Sequence, residues 1–298
     1  MLIPCRDEEP TVAEVVTGFR GAFPNATVYV YGNGSTDDTA VQALHEGAVV
    51  AFEPLPGKGR VLRRMFADID ADVYDVADGD GTYDPAEAPA MAKRLLDDGL
   101  DMVVGIREAV TQDAERRGRA LGNRLFNRLY RVLFGLGFSD ILGGYRVVSR
   151  RFVKSFPSVS SGFEIETELA VHTSQLGVPF AEAPVNYGIR PEGSVSNLRT
   201  FADGLKILRA MIVLLKETRP LLMFGSLAAA CFAWALILAV PLAATYVQTG
   251  LVPRFPTAVL ATGLVVLSML LVVSDLILDT AAKARIEVKR LAYLSQPS

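Results

Sequence analysis

The 298-residue sequence predicts an α/β domain built on a mostly parallel sheet, followed by two membrane-spanning helices. Three observations carry this expectation. Short apolar segments alternate with helix-patterned segments from Met1 to Gly105. One apolar segment ends in two aspartates a single residue apart, Asp78-Gly79-Asp80. Two stretches, Pro220–Pro253 and Phe255–Ser274, contain no charged residue, and each reaches the ~20 residues a spanning helix needs.

Taken in order, Met1–Pro4 is apolar and strand-like, Cys5–Pro10 is a polar loop, and Thr11 is placed as the cap of a helix to about Phe23. Thr27–Tyr31 is β-branched and aromatic, hence a strand. Gly32–Ser35 must turn, Thr36–Thr39 is rich in helix caps, and a helix follows to about Gly47. Val49–Phe52 is a strand, Pro56–Gly59 a turn, and a helix runs on to about Asp70. Val73–Ala77 is the strand that carries the aspartates, Ala86–Asp97 a helix and Asp101–Gly105 a strand. Such alternation means a parallel sheet with covered faces. Its carboxyl edge is where open α/β sheets bind ligands. Alternate residues of an extended segment point the same way, so Asp78 and Asp80 can converge on one hard cation while Gly79 keeps the backbone close. An isolated Asp-x-Asp is more often an acidic turn; its position at a strand end is what raises it.

After Arg107 the pattern changes. Arg116, Arg117, Arg119, Arg124, Arg128 and Arg131 stud a helix that also carries Leu121, Leu125, Phe126, Leu129, Leu133 and Phe134. A basic amphipathic helix suits a membrane surface or phosphate contacts, and an ordinary solvated face has the same look. Gly143–Arg150 reads as a turn into a short strand, Phe163–Gln175 as a helix with an acidic start, Phe180–Tyr187 as a strand and Gly188–Ser196 as a loop. Leu198, Phe201, Leu205, Leu208, Ile212 and Leu215 recur at helical spacing, with Arg199, Lys206, Arg209 and Lys216 off that stripe. This is the pattern of a helix lying on a bilayer. The spans are placed near Leu221–Tyr246 and Thr257–Leu278.

The chain is 50% hydrophobic and 21% charged with mean hydropathy +0.29, the excess coming from those spans. A net charge of −3 argues against a nucleic-acid partner. Cys5 and Cys231 are the two cysteines, one at a strand end and one in a span, so no disulfide is expected and a reducing cytoplasm fits. The N-terminus lacks a basic-then-apolar signal pattern. Met1 falls directly on the first strand, which leaves room for a natural chain beginning a few residues earlier. His45 and His172 fall in helices away from the loops, so no histidine base is expected. Lys216 and Arg219 precede the first span, Lys283, Arg285, Lys289 and Arg290 follow the second, and Arg254 alone lies between. Both termini are therefore expected in the cytoplasm.

The motifs together resemble a known family. Ile3-Pro4-Cys5-Arg6-Asp7-Glu8-Glu9 resembles the opening of family 2 inverting glycosyltransferases, and Asn33–Thr39 is similar to their second-strand motif. Gly57-Lys58-Gly59 and Asp78-Gly79-Asp80 follow in the family's order. Gly105-Ile106-Arg107, Asp140 with Gly144-Tyr145-Arg146 and Ser149-Arg150, and Arg190 with Gly193–Ser196 resemble the polyprenol-phosphate branch, which includes dolichol-phosphate mannose synthases. The resemblance covers roughly residues 1–217. It implies a GT-A fold, a nucleotide-diphosphate sugar as donor and a polyprenyl or dolichyl phosphate as acceptor. It also implies a Mg²⁺ or Mn²⁺ ion on Asp78 and Asp80. Donor-binding positions by the same resemblance are Pro4, Asp7, Glu8, Asn33, Asp37 and Asp78. Acceptor or phosphate contacts fall to Arg107, Arg119, Asn123, Arg146, Ser149, Arg190 and Ser194, and catalytic roles to Asp140, Asp80 and Arg146. Asp7 stands for the family's asparagine, Gly32 for an aspartate that contacts the base, and Asn197 for a lysine, while Thr82 takes a place that is a metal-side ligand in some relatives.

The expected organisation is a cytoplasmic catalytic domain over 1–196, an interfacial helix over 197–219, a two-helix anchor over 220–280 and a basic tail over 281–298. The spans also offer a surface for homo-oligomers. Three other readings compete. A sugar nucleotidyltransferase explains the carboxylates but not the spans. A processive polysaccharide synthase would carry a Gln-x-x-Arg-Trp motif, whereas Trp234 lies inside a span. A non-catalytic nucleotide-sugar binder is argued against by intact Asp78 and Asp80.

Overall fold

The computed structural model describes residues 1–108, 125–135, 137–188, 190–191 and 200–297. It divides into two compact units, Met1–Met211 with Lys289–Ser298, and Ile212–Val288.

In the first unit the strands are β1 (Leu2–Cys5), β2 (Tyr29–Gly32), β3 (Val49–Phe52), β4 (Val73–Val76), β5 (Met102–Glu108), β6 (Arg146–Ser149) and β7 (Phe180–Asn186). The helices between them are α1 (Glu9–Ala22), α2 (Thr39–His45), α3 (Lys58–Asp68), α4 (Ala88–Asp97), α5 (125–134), α6 (Arg150–Ser155) and α7 (Ile165–Leu176). The sheet order is β3-β2-β1-β4-β6-β5-β7. All pairs are parallel except those of β6, which runs antiparallel between β4 and β5. Its register sets Arg146 opposite Val76 and Ser149 opposite Val73. The start of β6 therefore lies beside the end of β4, where the paired aspartates begin.

Val12, Val15, Val16 and Phe19 form one face of α1 and are buried with Ile3, Val30 and Val147 of the sheet. Several element ends differ from expectation. Helix α1 starts at Glu9 with Pro10 in its first turn, so Thr11 is not its cap. Thr11 Oγ1 instead donates to the Gly79 carbonyl at 2.7 Å, tying the helix to the aspartate loop. A 3₁₀ turn, Pro85–Glu87, precedes α4, with Asp84 accepting from the Ala86 amide at 2.9 Å. Helix α6 was not expected; Ser149 caps it, accepting from the Phe152 amide at 3.2 Å. Of the arginine-studded helix, Arg128 and Arg131 are among the described residues, while Arg116, Arg117, Arg119 and Arg124 lie outside them. Tyr130 packs on Phe134 and Phe138 with ring centroids 5.0 and 5.8 Å apart, so that helix buries one apolar side.

Helix α8 (Thr200–Thr218) leaves Leu205, Leu208 and Ile212 of the expected stripe exposed. Its buried face is Ile207, Met211 and Leu215, four residues apart. Helices α9 (Pro220–Thr249) and α10 (Phe255–Leu294) are both long and apolar enough to cross a membrane. Within the second unit Ala261, Ser268, Asp275 and Ala282 are the buried residues of α10. They recur every seventh position, the repeat of a two-helix seam. Ala228 and Ala235 are buried on α9, and Ser268 Oγ donates to the Ala228 carbonyl at 3.0 Å. Small residues let the two helices approach closely.

The end of α10 belongs to the first unit. Tyr293 Oη donates to Asp101 Oδ2 at 2.7 Å, and Arg151 Nε and Ser149 Oγ each donate to Asp101 Oδ1 at 2.6 Å. The fully buried Asp101 carboxylate is thus satisfied by three side chains. Asp75, in β4, is the opposite case: it is buried and neither oxygen has a hydrogen-bond partner.

Burial pushes the Asp75 pKa up from the ordinary 3.8 to about 7, with the Met1 ammonium pulling it down. The folded protein therefore holds a proton that the unfolded chain has lost, and stability falls as pH rises between those two values. Asp75→Asn removes that slope. Denaturant midpoints should show the variant more stable than the parent at about pH 8, with the difference gone by about pH 4. A difference that does not change with pH would mean Asp75 ionises in the fold without cost.

Candidate active site

The site gathers at the carboxyl ends of β1, β2, β4 and β7 and at the start of β6. Asp7 follows β1 at φ +53°, the sole non-glycine residue with positive φ among those described. Its Oδ1 accepts from the Thr36 amide at 2.7 Å, and its own amide donates to Ser35 Oγ at 3.1 Å. The Glu8 amide donates to Thr39 Oγ1 at 2.9 Å, and Thr39 Oγ1 donates in turn to Asp37 Oδ1 at 2.5 Å. Asp37 also accepts from the Glu9 amide at 3.1 Å. These bonds outweigh the effect of burial and hold the Asp37 pKa below the ordinary carboxylate value. Asn33 is buried: its amide group donates to the Glu53 and Leu55 carbonyls at 3.2 and 2.8 Å and its Oδ1 accepts from the Gly57 amide at 2.6 Å. Asn33 and Asp37 thus shape the nucleotide-side loops through hydrogen bonds the chain makes to itself. Pro4 lies within β1 opposite Tyr31.

The two aspartates are each met by a cation of the chain. Asp78 pairs with Lys58 through its Oδ1. Asp80, 4% exposed, receives Thr82 Oγ1 at 2.5 Å and the Thr82 amide at 3.1 Å on Oδ1, and the Arg190 guanidinium on Oδ2. Arg190 also stands 3.6 Å from Glu8 Oε1, so it bridges the ends of β1 and β4. Lys58 Nζ lies 2.6 Å from Glu166 Oε1 of α7 as well. Burial alone would lower the Lys58 pKa, but Asp78 and Glu166 outweigh it and hold it above the ordinary lysine value. A Cβ on Gly79 would collide with Cys5 Sγ, and one on Gly144 with the Asp78 carboxylate. Both glycines are required by close approach, not by turn geometry.

Arg107, near the end of β5, donates through Nε and Nη2 to Asp140 at 2.6 and 2.8 Å. Its guanidinium also lies 5.4 Å from the centroid of the Tyr187 ring. Against burial, Asp140 raises the Arg107 pKa further above the ordinary arginine value. Tyr83 Oη accepts from the Gly144 amide at 2.9 Å and fixes the glycine pair beside Asp78.

Two expected phosphate contacts are corrected. Arg146 is 2% exposed; its Nη2 and Nε donate to the Ile141 and Gly143 carbonyls at 2.8 and 3.2 Å. Buried and held by these two carbonyls, it buttresses the 140–144 loop instead of standing open in the crevice. Ser149 lies at the far end of antiparallel β6, at the sheet edge opposite the aspartates, where it caps α6 and serves Asp101. Arg119, Asn123 and Ser194 lie outside the described residues. Sequence reasoning missed Thr11, Tyr83 and Glu166. The acidic start of α7 was visible, but only contact with Lys58 singles out Glu166 among its neighbours.

Residues 1–156 match the model of glycosyl transferase family 2. The glycosyltransferase AglJ of Haloferax volcanii is 36% identical over 300 aligned positions, spanning 99% of this chain and 97% of that protein. A dolichyl-phosphate hexose transferase of the same organism is 28% identical over 216 positions, 72% of this chain and 92% of that one. Among solved structures, glucosyl-3-phosphoglycerate synthase from Mycobacterium tuberculosis in complex with Mn²⁺, uridine diphosphate and phosphoglyceric acid superposes with a TM-score of 0.61. It is 24% identical over 72% of this chain and 77% of that chain, a likeness of fold. With a GT-A sheet, paired aspartates at its carboxyl edge and relatives consistent with the polyprenol-phosphate branch, the chain belongs to glycosyl transferase family 2 and is a glycosyltransferase.

Proposed function

We propose that the protein transfers a hexose, with inversion, from a nucleotide-diphosphate sugar to a polyprenyl or dolichyl phosphate held in a membrane. The observation that carries this is one chain joining a carboxylate-edged sheet to two helices apolar enough to cross a bilayer. The relative named a dolichyl-phosphate hexose transferase supports it. The donor reading is supported by the uridine diphosphate named for the structural neighbour. The loops after β1 and β2, with Pro4, Asp7, Glu8, Asn33 and Asp37, would receive base and ribose.

The structural neighbour is in complex with Mn²⁺ as well, and the residues here fit a divalent ion. Asp78 and Asp80 offer hard oxygen donors, and each already draws a positive group of the chain, Lys58 and Arg190. Among the described residues no group of three or more His, Cys, Asp or Glu surrounds one point, so a Mg²⁺ or Mn²⁺ on this pair would take further oxygens from the diphosphate. When bound, it supplies positive charge for the leaving diphosphate.

The chain's own residues do the rest. A lipid phosphate is already anionic near neutral pH, so the nucleophile needs no strong base. Asp140 is committed to Arg107 by two hydrogen bonds; it orients that guanidinium, whose Nη1 makes neither of these bonds and can meet a phosphate. Arg190, on Asp80 and Glu8, is placed to follow charge between the aspartate and incoming phosphate. Positioning and electrostatics then supply most of the rate. The exposed apolar stripe of α8 supports its lying on the bilayer, and the basic flanks of the spans support a cytoplasmic catalytic unit.

Purified protein, incubated with radiolabelled nucleotide sugars and a polyprenyl phosphate, should move label into the organic phase. Asp80→Ala should abolish that transfer. Label that stays water-soluble with every donor, or an Asp80→Ala variant with parental activity, would refute the assignment.

The topology has its own test. With Cys231→Ala as background, Gly250→Cys in the loop between the spans should react with an impermeant thiol reagent only from the side opposite the catalytic unit. Reaction from the catalytic side would mean the hairpin does not cross.

A further inference from the structure

We propose that Glu166 is a positioning residue for the site: by sharing Lys58 it keeps Asp78 from being neutralised and leaves that carboxylate charged toward a cation. The proposal rests on the reading that Asp78 and Asp80 hold a divalent ion.

Lys58 Nζ stands between Asp78 Oδ1 and Glu166 Oε1. A lysine with one carboxylate is a closed neutral pair. With two, the three directly paired side chains carry one net negative charge; Arg146 lines the same cavity but forms no ion pair with Glu166, so it offsets that charge only from a distance, and the charge is felt where it is most open. The side chains of Lys58 and Glu166 are 9% and 6% exposed, that of Asp78 30%. The surplus therefore faces the crevice at Asp78.

The arrangement is built, not incidental. The Gly59 amide donates to the Ser161 carbonyl at 3.1 Å, and a Cβ on Gly57 or Gly59 would strike the carbonyls of Ser161 or Ser160. The Gly57-Lys58-Gly59 backbone is thus pressed onto the segment just before α7. Three glutamates begin that helix region. Glu168 accepts from the Val159 and Ser160 amides at 2.9 Å each, and Glu164 from the Gly162 amide at 3.1 Å, so both shape this segment. Glu166 alone turns to Lys58. Its second oxygen, Oε2, has no hydrogen-bond partner, nor does Arg146 Nη1, and both residues line one cavity with Lys58 and Gly144. A buried carboxylate left half unsatisfied is costly, which argues that its charge, rather than its packing, is what the position requires.

The test is calorimetric titration of the full-length protein in detergent with Mn²⁺ alone, with thermal melts as the folding check. Glu166→Gln keeps the volume and removes the charge, so Asp78 becomes neutralised by Lys58 and Mn²⁺ affinity should fall about tenfold. Lys58→Met should raise it, and the double variant, which restores the net charge, should return close to the parent. Two single variants of opposite sign that cancel in combination are not produced by a structural role. Glu166→Gln with parental affinity overturns the proposal, as does a double variant weaker than both singles. If Lys58→Met does not fold, Glu166→Gln decides alone. If the parent binds Mn²⁺ and Asp80→Ala does not, the metal reading stands whatever Glu166 does. If neither binds, both fail.

Discussion

Two carboxylates one residue apart at the end of a buried strand cannot both stay ionised without positive charge nearby, and the rest of the site is arranged around that requirement. Lys58 opens α3, the helix after β3, and Arg190 comes from the segment after β7, so elements from distant parts of the sheet converge on Asp78 and Asp80. A buried ion pair has to repay its desolvation through geometry and further hydrogen bonds. Thr82 and Glu166 supply these on either side. A catalytic centre of this kind is strained electrostatically before any ligand arrives. On the function proposed above, a cation and an anionic diphosphate would exchange one set of charge partners for another instead of creating charge in a dry pocket.

The antiparallel strand is what makes this convergence possible. A parallel strand beside β4 would have brought the far end of its chain to the aspartates. Because β6 runs the other way, its start meets the end of β4 and sets Gly143 and Gly144 against Asp78. Tyr83 then fastens the glycine pair by accepting from the Gly144 amide. Arg146 pins the preceding loop from below, and Arg107 reaches Asp140 on it from above. One reversed strand thus carries the 140–144 loop into the same crevice that the parallel strands open.

In the second unit the packing follows a different rule. Its two helices are long and apolar enough to cross a membrane, and helices that pair in lipid do so by close approach and polar contacts, because the apolar effect no longer separates inside from outside. The seam is accordingly alanine, serine and a single aspartate at seven-residue spacing, while leucine and valine face outward.

Much of the catalytic fold was legible in the sequence because it rests on local signals. Alternating periodicity marked every strand of the parallel half, glycines and caps marked the turns, and charge-free runs marked the two long apolar helices. The paired aspartates were legible because their position after a strand end already implies the carboxyl edge. The direction of β6 was not, since a four-residue apolar segment reads the same in either orientation. That one unknown bears on Arg146 and Ser149: the family resemblance set both among the phosphate contacts, whereas the reversed strand buries one and carries the other to the opposite edge. Likewise three glutamates in one turn are equivalent on paper. Only the tertiary contact of α7 with the glycine-flanked Lys58 separates Glu166 from the two that hold backbone amides. Local patterns depend on residues a few positions apart and are written in the chain. The choice of partner for a buried charge depends on segments about a hundred residues apart, such as Lys58 and Glu166, and is decided only when the sheet brings them together.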